Sequence, residues 1–303
     1  MKKYFLLACA LGAFGVADAA TVQFSSPDQK LVVTVADDGG RPTYRVAYGE
    51  TLFLESSPLG LSTNIGDFSQ GMVLQESSFA VSPVSGHYEL PTIKRGKVDV
   101  RATKAVCPFY RDGKHIFDVV FHVSDHDVAF KYKMYPQGET LCCVVKEEAT
   151  GFVLPDGTTT FLCPQVAPMG GFARNYPSYE TGYTADDEMG KNGWGHGYPF
   201  PCLFRTGYKG WVLISETGVD SRYCASRLMG KDGGLYTIGF PQEGEYNGNG
   251  TTSPGIALPG ETPWRTITIG QTLAPIVETT IPYDVVEPLY EPSRRYVYGR
   301  GTW

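Results

Sequence analysis

The chain has 303 residues, a formal net charge of −6 and 19% charged residues. It carries no run or stripe of lysine and arginine, so nucleic acid and anionic membrane surfaces are not expected as partners. Aromatic residues make up 13% of the chain, which fits sheet cores or a surface that stacks against sugar rings.

The N-terminal segment has the pattern of a secretory signal peptide. Lys2 and Lys3 precede an uncharged apolar run over residues 4–16, which is too short to span a bilayer as a stable helix. Residues 17–19 read Ala-Asp-Ala, the small-residue pattern of a cleavage site. The sequence therefore predicts a signal peptide over residues 1–19 and a periplasmic or secreted protein.

The cysteines leave two questions open. Residues 6–9 read Leu-Leu-Ala-Cys and resemble a lipoprotein cleavage box, but the apolar run before Cys9 is very short. The remaining even set could pair in an oxidising compartment, although the sequence does not select a connectivity. The alternative is that most of them are small buried hydrophobic residues. This set consists of Cys107, Cys142, Cys143, Cys163, Cys202 and Cys224.

Alternation of apolar and polar residues with a period of two dominates the rest of the chain and predicts β-strands. Such runs occur, in chain order, at residues 30–35, 43–48, 98–105, 116–123, 128–134, 211–215, 235–240 and 265–270. Clusters of Asp and Gly at residues 37–40, 111–114 and 231–234 predict turns. No segment has a sustained apolar stripe of helical period between caps, so helices should be few and short.

The two best-defined strands are predicted at residues 116–123 and 128–134. Each places one row of apolar side chains on a single face. In the first strand the row is Phe117, Val119, Phe121 and Val123, and His122 lies on the opposite face. In the second strand the row is Val128, Phe130, Tyr132 and Met134. This pattern is typical of half-buried antiparallel strands. Many strands joined by Gly, Pro and Asp turns predict an all-β protein built as one large two-sheet antiparallel sandwich.

Residues 164–201 form a long segment rich in Gly, Pro, Tyr and Asp, without strand or helix periodicity. Long loops in compact domains are usually functional or disordered, and the aromatic content here argues against disorder. Glu180 lies among tyrosines in this segment. It either accepts hydrogen bonds from their hydroxyls or serves as a ligand for a hard cation such as calcium. The acidic residues at 185–188 lack the spacing of a calcium loop and predict a solvated turn.

Residues 192–201 alternate glycine with Trp194 and His196. Glycine gives the backbone freedom, and an indole offers a flat face to a sugar ring, so these two residues are candidate substrate contacts. The alternative is a glycine-rich connector that carries an incidental aromatic residue.

Catalytic patterns do not occur. The sequence lacks metalloprotease, nucleophile-elbow and nucleotide-loop signatures. His115 and His126 are placed in predicted turns and His87 in a polar connector. Glu147 and Glu148 are adjacent on a predicted strand and point to opposite faces. Without two facing carboxylates, the chain is not expected to hydrolyse a glycoside by the usual route.

Two stretches taken together resemble the N-terminal domain of glycoside hydrolase family 97. They are residues 175–183, "NYPSYETGY", and residues 197–228, "GYPFPCLFRTGYKGWVLISETGVDSRYCASRL". The opening at residues 25–61 is also similar to the start of that domain. The resemblance thus covers nearly the whole mature chain, and Glu216 in the second stretch is interpreted as structural.

The resemblance implies a β-super-sandwich similar to galactose mutarotases over residues 20–290, packed against a catalytic (β/α)₈ barrel. It implies hydrolysis of α-glucosides or α-galactosides, and a calcium ion held in part by a glutamate that matches Glu180. Residues 291–303 match a linker and the truncated start of the barrel, so the catalytic acids are expected outside this chain. Sugar, linkage and stereochemical course are therefore not predicted.

Two alternatives remain at this point. The first is a free-standing carbohydrate-binding module that uses Trp194 and neighbouring tyrosines. The second is a mutarotase-like epimerase, which rests on fold analogy alone and lacks an identifiable histidine–glutamate pair.

Overall fold

The computed structural model of the protein describes residues 19–90, 93–165, 182–241 and 252–288. Glu180, most of the predicted signal peptide and residues 291–303 lie outside these ranges. The described residues form short and long strands joined by turns, with two short helices near the end. None of the described helices has the length and apolar character needed to cross a membrane.

The strands of the first half are β1 (Thr21–Ser25), β2 (Leu31–Ala36), β3 (Thr43–Tyr48), β4 (Thr51–Pro58), β5 (Leu61–Thr63), β6 (Gly66–Asp67), β7 (Val73–Leu74), β8 (Ala80–Glu89), β9 (Lys97–Arg111), β10 (Lys114–Val123), β11 (Asp127–Met134), β12 (Cys142–Glu148) and β13 (Gly151–Val153). Those of the second half are β14 (Thr159–Phe161), β15 (Asp187–Glu188), β16 (Tyr198–Pro199), β17 (Cys202–Arg205), β18 (Trp211–Thr217), β19 (Arg227–Gly230), β20 (Leu235–Gly239), β21 (Gly255–Ala257), β22 (Gly260–Glu261) and β23 (Trp264–Gly270). The helices are α1 (Ala274–Glu278) and α2 (Ile281–Asp284).

One layer of the protein is a large antiparallel sheet with the order β15-β14-β17-β18-β23-β11-β10-β9-β7; β22 pairs with β11 and β8 with β9. Three four-stranded sheets form the second layer, with the orders β1-β2-β3-β4, β21-β12-β5-β6 and β13-β20-β19-β16. Aromatic rings join the layers: Phe24 lies 5.2 Å from Phe121 and Tyr44 lies 5.2 Å from Phe130. The predicted all-β sandwich is confirmed, and its second layer is divided into three sheets.

The register of β10 and β11 agrees with the predicted faces. Phe121 pairs with Phe130, and all eight residues of the two predicted apolar rows are buried in the core. The Asp-Gly turn at residues 112–113 joins β9 to β10, as predicted. His115 and His87 lie within β10 and β8, so their predicted placement in a turn and a connector was wrong. His126 does lie in the turn between β10 and β11.

The outer face of the large sheet is partly covered by the C-terminal segment, residues 271–288, which contains both helices. Thr279 donates a hydrogen bond to Asp127 Oδ1 at 2.7 Å, and Tyr88 donates one to Asp284 Oδ1 at 2.6 Å. Ile281, the first residue of α2 in this segment, is buried. Burial raises the pKa of the Asp127 and Asp284 carboxyls, against the effect of these hydrogen bonds. The segment is therefore attached to the sheet through Thr279, Ile281 and Asp284.

The six cysteines of the described chain are free thiols. Cys107, Cys143 and Cys202 are buried, whereas Cys142 is exposed. Burial raises the pKa of Cys143 to about 11 and the pKa of Cys107 and Cys202 further still. These three cysteines fit the interpretation that most cysteines of the chain are small buried hydrophobic residues. No pair of described cysteines forms a disulfide.

Candidate functional site

Several connections meet at the end of the sandwich where β18 ends and β23 begins, and we call this end the loop rim (residues 192–197, 217–226 and 255–264). Two described residues that come shortly before undescribed segments, Gln165 and Phe240, contact it. Gln165 donates a backbone hydrogen bond to Gly197 O at 2.8 Å, and the ring of Phe240 lies 5.8 Å from that of Tyr223. Gln165, the last described residue before the segment that contains Glu180, therefore lies at this rim.

A buried charge network lies beneath the loop rim. Arg265, on β23, is 1% exposed and donates to Glu148 through Nε at 2.9 Å and Nη2 at 2.6 Å. Its Nη1 donates to Glu216 and, at 2.9 Å, to Ser226 Oγ. Tyr223 donates to Glu148 Oε2 at 2.9 Å. The network connects β12, β18 and β23 with the loop between β18 and β19.

The electrostatics of this network favour a permanently charged arginine. Burial alone would lower the pKa of the Arg265 guanidinium, but attraction by Glu148 and Glu216 outweighs burial and raises it. Both carboxylates are hydrogen-bonded within the network. Glu216 also accepts bonds from the backbone and hydroxyl of Ser226 at 2.9 and 2.6 Å. Glu148 and Glu216 therefore hold the fold together and are not available for acid–base chemistry, in agreement with the structural interpretation of Glu216.

Sequence reasoning missed Arg265 and Tyr223 as parts of this network. The opposite faces predicted for Glu147 and Glu148 are confirmed, because Glu147 is exposed and Glu148 is buried. An arginine on the otherwise uncharged strand 264–270 was the available signal, since a buried charge requires a partner.

Trp194 and His196 lie on one loop of the rim, and that loop is well defined. Gly193 N donates to Tyr198 Oη at 2.7 Å. Gly193, Gly195 and Gly197 all have positive φ, from 56° to 89°, a conformation that favours glycine. Trp194 is 59% exposed, whereas His196 is half-buried and its carbonyl accepts a bond from Arg227. The loop thus presents an indole to solvent; its contact with a sugar stays a prediction.

The acidic turn at residues 185–188 is held by ion pairs. Asp186 pairs with Arg205 at 2.6 Å and Asp187 with Lys191 at 2.5 Å. Asp187 and Glu188 form the short strand β15. Within the described ranges, no group of three or more His, Cys, Asp or Glu side chains is arranged to hold a metal ion. Since Glu180 lies outside those ranges, its predicted role is not tested by this result.

A groove with a cavity of about 560 Å³ opens beside the rim. We call it the rim groove, and it is lined by Lys131 and by residues 218–220, 222–223, 255–257, 259–264 and 285–287. Arg222 donates a hydrogen bond through Nε to Asp220 at 2.8 Å, and hydrogen bonding by Arg222 lowers the pKa of the Asp220 carboxyl. Lys131 pairs with Glu261 at 2.5 Å and lies 4.5 Å from the Trp264 ring centroid.

Comparisons with known proteins agree on the family. The model of the family described as Glycosyl-hydrolase 97 N-terminal matches residues 24–288. A "Probable retaining alpha-galactosidase" of Streptomyces bingchenggensis (strain BCW-1) is 32% identical over 263 residues, which are 86% of this chain and 36% of that protein.

Solved structures give the same picture. The crystal structure of a β-arabinopyranosidase superposes with a TM-score of 0.87 at 51% identity, over 93% of this chain and 45% of that one. A glycoside hydrolase family 97 enzyme from Pseudoalteromonas sp. strain K8, solved with panose, has a TM-score of 0.72 at 19% identity, over 88% of this chain and 38% of its own. This last likeness concerns the fold alone. The chain spans less than half the length of these relatives, and it belongs to the glycosyl-hydrolase 97 N-terminal family.

Proposed function

We propose that this chain is the non-catalytic N-terminal domain of an exported, calcium-dependent family 97 glycoside hydrolase that acts on α-glucosides or α-galactosides. The family match over residues 24–288 carries the proposal. The relatives are more than twice as long as the matched region, which leaves room for a catalytic domain. In this proposal the sandwich packs on a catalytic barrel and contributes a calcium ligand and contacts to carbohydrate.

The described residues support a non-catalytic role. The two carboxylates that come together beneath the rim, Glu148 and Glu216, are both bound to Arg265. Glycoside hydrolysis requires two carboxyl groups that flank the scissile bond in an accessible site. Catalytic acids are therefore proposed to come from the rest of the full-length protein. Two relatives are named as an α-galactosidase and a β-arabinopyranosidase, so α-galactosides and β-arabinopyranosides should both be tested as substrates of the full-length protein.

Glu180 is proposed as the calcium ligand of this domain. Support comes from Gln165, the last described residue before Glu180 in the chain, which is hydrogen-bonded to the loop that carries the half-buried His196 and the exposed Trp194. Calcium takes six to eight oxygen ligands, so one glutamate would bind it weakly without the other domain.

The test of this proposal is a lanthanide titration of the 303-residue chain followed by tyrosine-sensitised terbium luminescence. We expect weak binding that calcium displaces and that Glu180→Gln weakens at least ten-fold. Glu188→Gln, a glutamate of the ion-paired acidic turn, is the matched control and should bind like the wild type. Equal binding by wild type and Glu180→Gln would refute the assignment, and turnover of an aryl α-galactoside or α-glucoside by this chain would refute the non-catalytic role.

The exposure of Trp194 supports a second candidate, a carbohydrate-binding module. An indole that is 59% exposed on an ordered loop can stack on a sugar ring. In a calorimetric titration with panose and galacto-oligosaccharides, Trp194→Ala should lose binding that the wild type shows. Tyr208, which is 98% exposed on the turn between β17 and β18, provides the control variant Tyr208→Ala. Identical titrations for both variants would argue against Trp194 as a sugar contact.

A further inference from the structure

Ala20 is held by the fold at its backbone. Its N–H donates a hydrogen bond to Asp37 Oδ1 at 2.9 Å, and its carbonyl accepts one from Asp37 N at 3.2 Å. Ala20 also packs against the hydrophobic core. Ala19, one residue earlier, is exposed. The peptide bond between Ala19 and Ala20 therefore joins an exposed residue to one that the fold holds in place.

The carboxylate of Asp37 is buried without a cation. Asp37 is 8% exposed, and both of its oxygens accept hydrogen bonds from backbone N–H groups, Oδ1 from Ala20 and Oδ2 from Leu74 at 3.1 Å. Among the residues that the structure describes, no lysine, arginine or histidine forms an ion pair with it. A buried carboxylate ordinarily has a positive partner, as both carboxylates beneath the loop rim do.

The sequence indicates where the missing charge comes from. Residues 17–19 read Ala-Asp-Ala, so the predicted cleavage of the signal peptide falls after Ala19. In this hydrolysis the C–N bond between Ala19 and Ala20 breaks. The oxygen of water joins the Ala19 carbonyl carbon to give a carboxylate, and both protons of water go to Ala20 N to give an ammonium group. That group is mostly charged at neutral pH, because an unperturbed α-amino group has a pKa of about 7.7–8.0.

We propose that Asp37 is a binding site for the α-ammonium group of Ala20 that removal of the signal peptide creates. The hydrogen bond from a neutral amide to Asp37 Oδ1 then becomes a charge-assisted ion pair, which is a stronger interaction. Because the carboxylate is buried, salt screens the pair less than it screens a surface pair. The proposal rests on the export that is part of the proposed function.

The pair connects the two layers of the sandwich. Ala20 directly precedes β1 of the second layer, whereas Leu74 lies on β7 of the large sheet, and one carboxylate accepts hydrogen bonds from both. Glu76 is an exposed second acid at this position, since its Oε1 accepts a hydrogen bond from Thr21 N at 2.9 Å. Processing therefore strengthens a contact between layers that the unprocessed chain makes with a neutral amide alone.

The first test locates the N-terminus. The chain would be exported by a Gram-negative bacterial host under its own N-terminal segment, and its first residue identified by intact mass and N-terminal sequencing. We expect Ala20. A purified protein that begins at a lipid-modified Cys9, or at any other residue than Ala20, would overturn the proposal.

The second test isolates the ion pair in a double-mutant cycle. The chain that starts at Ala20 would be prepared with a free and with an acetylated N-terminus, since acetylation removes the charge and keeps an N–H donor. In urea unfolding, acetylation should raise the equilibrium constant for unfolding about ten-fold in the wild type and less than about two-fold in Asp37→Asn. The comparison within each variant cancels any loss that the substitution itself causes.

The matched control is Asp38→Asn, which alters the exposed neighbouring carboxylate and should leave the effect of acetylation as large as in the wild type. Equal effects of acetylation in the wild type and in Asp37→Asn would overturn the proposal, and so would an effect that Asp38→Asn abolishes.

These outcomes are distinguishable from failure of the proposed function. A cycle without coupling contradicts the ion pair and leaves export and the calcium ligand in place, because it involves neither. A protein that keeps residues 1–19 contradicts both the proposal and the proposed export. Loss of the terbium result with an intact ion pair contradicts the calcium ligand alone.

Discussion

Buried polar side chains on the two faces of the large sheet differ in their hydrogen-bond partners. On the inner face, Arg265 donates four hydrogen bonds to Glu148, Glu216 and Ser226. On the outer face, His122 of β10 is buried, and neither of its ring nitrogens has a hydrogen-bond partner among the described residues. Register places them on opposite faces, since Arg265 pairs with Phe130 and His122 with Ala129.

The difference shows how a buried polar group is tolerated. Arg265 remains charged because two carboxylates surround it. His122 stays neutral, since desolvation lowers its pKa to about 4. Removing one partner of a buried charge pair leaves an uncompensated charge and strongly destabilises the fold. A buried neutral imidazole lowers stability once the pH is low enough for the unfolded chain to take up a proton.

The largest loss of stability is expected when the buried arginine is replaced. Arg265→Leu leaves two buried carboxylates without their cation, so we expect the free energy of unfolding to fall by about 3–5 kcal/mol. Urea unfolding followed by tryptophan fluorescence measures the loss. The control, Arg222→Leu, removes an exposed arginine and should leave the free energy of unfolding nearly unchanged. Equal losses of unfolding free energy for Arg265→Leu and Arg222→Leu would contradict a stabilising role of the buried network.

A smaller effect is expected from His122, and it depends on pH. The unfolded chain takes up a proton at His122 near pH 6.5 and the folded protein only near pH 4, so stability falls as the pH drops through this window. The loss should reach about 3 kcal/mol at pH 4. The free energies of unfolding of wild type and His122→Leu, measured at several pH values, should diverge in this range. Above pH 7 the difference between them should stay constant.

The matched control for this effect is His87→Leu. His87 is exposed and pairs with Asp99 at 2.8 Å, so its removal should not flatten the pH dependence. A His122→Leu variant that loses stability as steeply as the wild type would show that other groups cause the acid sensitivity.

The alternation of β10 and β11 was sufficient to predict their faces, because a strand with one buried face repeats every second residue. The same pattern could not predict that His122 is buried. Its face is covered by residues more than a hundred positions later in the chain, and local periodicity carries no information about that cover.

The network of Arg265 illustrates the same limit. Its partners Glu148 and Glu216 precede it by 117 and 49 residues, and only the strand order of the sandwich brings them together. Residue patterns supplied Glu180, Trp194 and His196 as candidates, and the resemblance to the family favoured the calcium role of Glu180 over a structural one. The described structure places the last two on one loop of the rim, and the calcium role of Glu180 remains a prediction.

The free thiols have a consequence for handling the protein. Attack on a disulfide or an alkylating reagent requires the thiolate, and burial suppresses the thiolate of Cys107, Cys143 and Cys202 by raising their pKa. These three sulfurs should therefore react slowly with oxidants or maleimides while the domain stays folded. Cys142, which is exposed at the start of β12, is accordingly a position at which a spectroscopic label can be attached without disturbing the core.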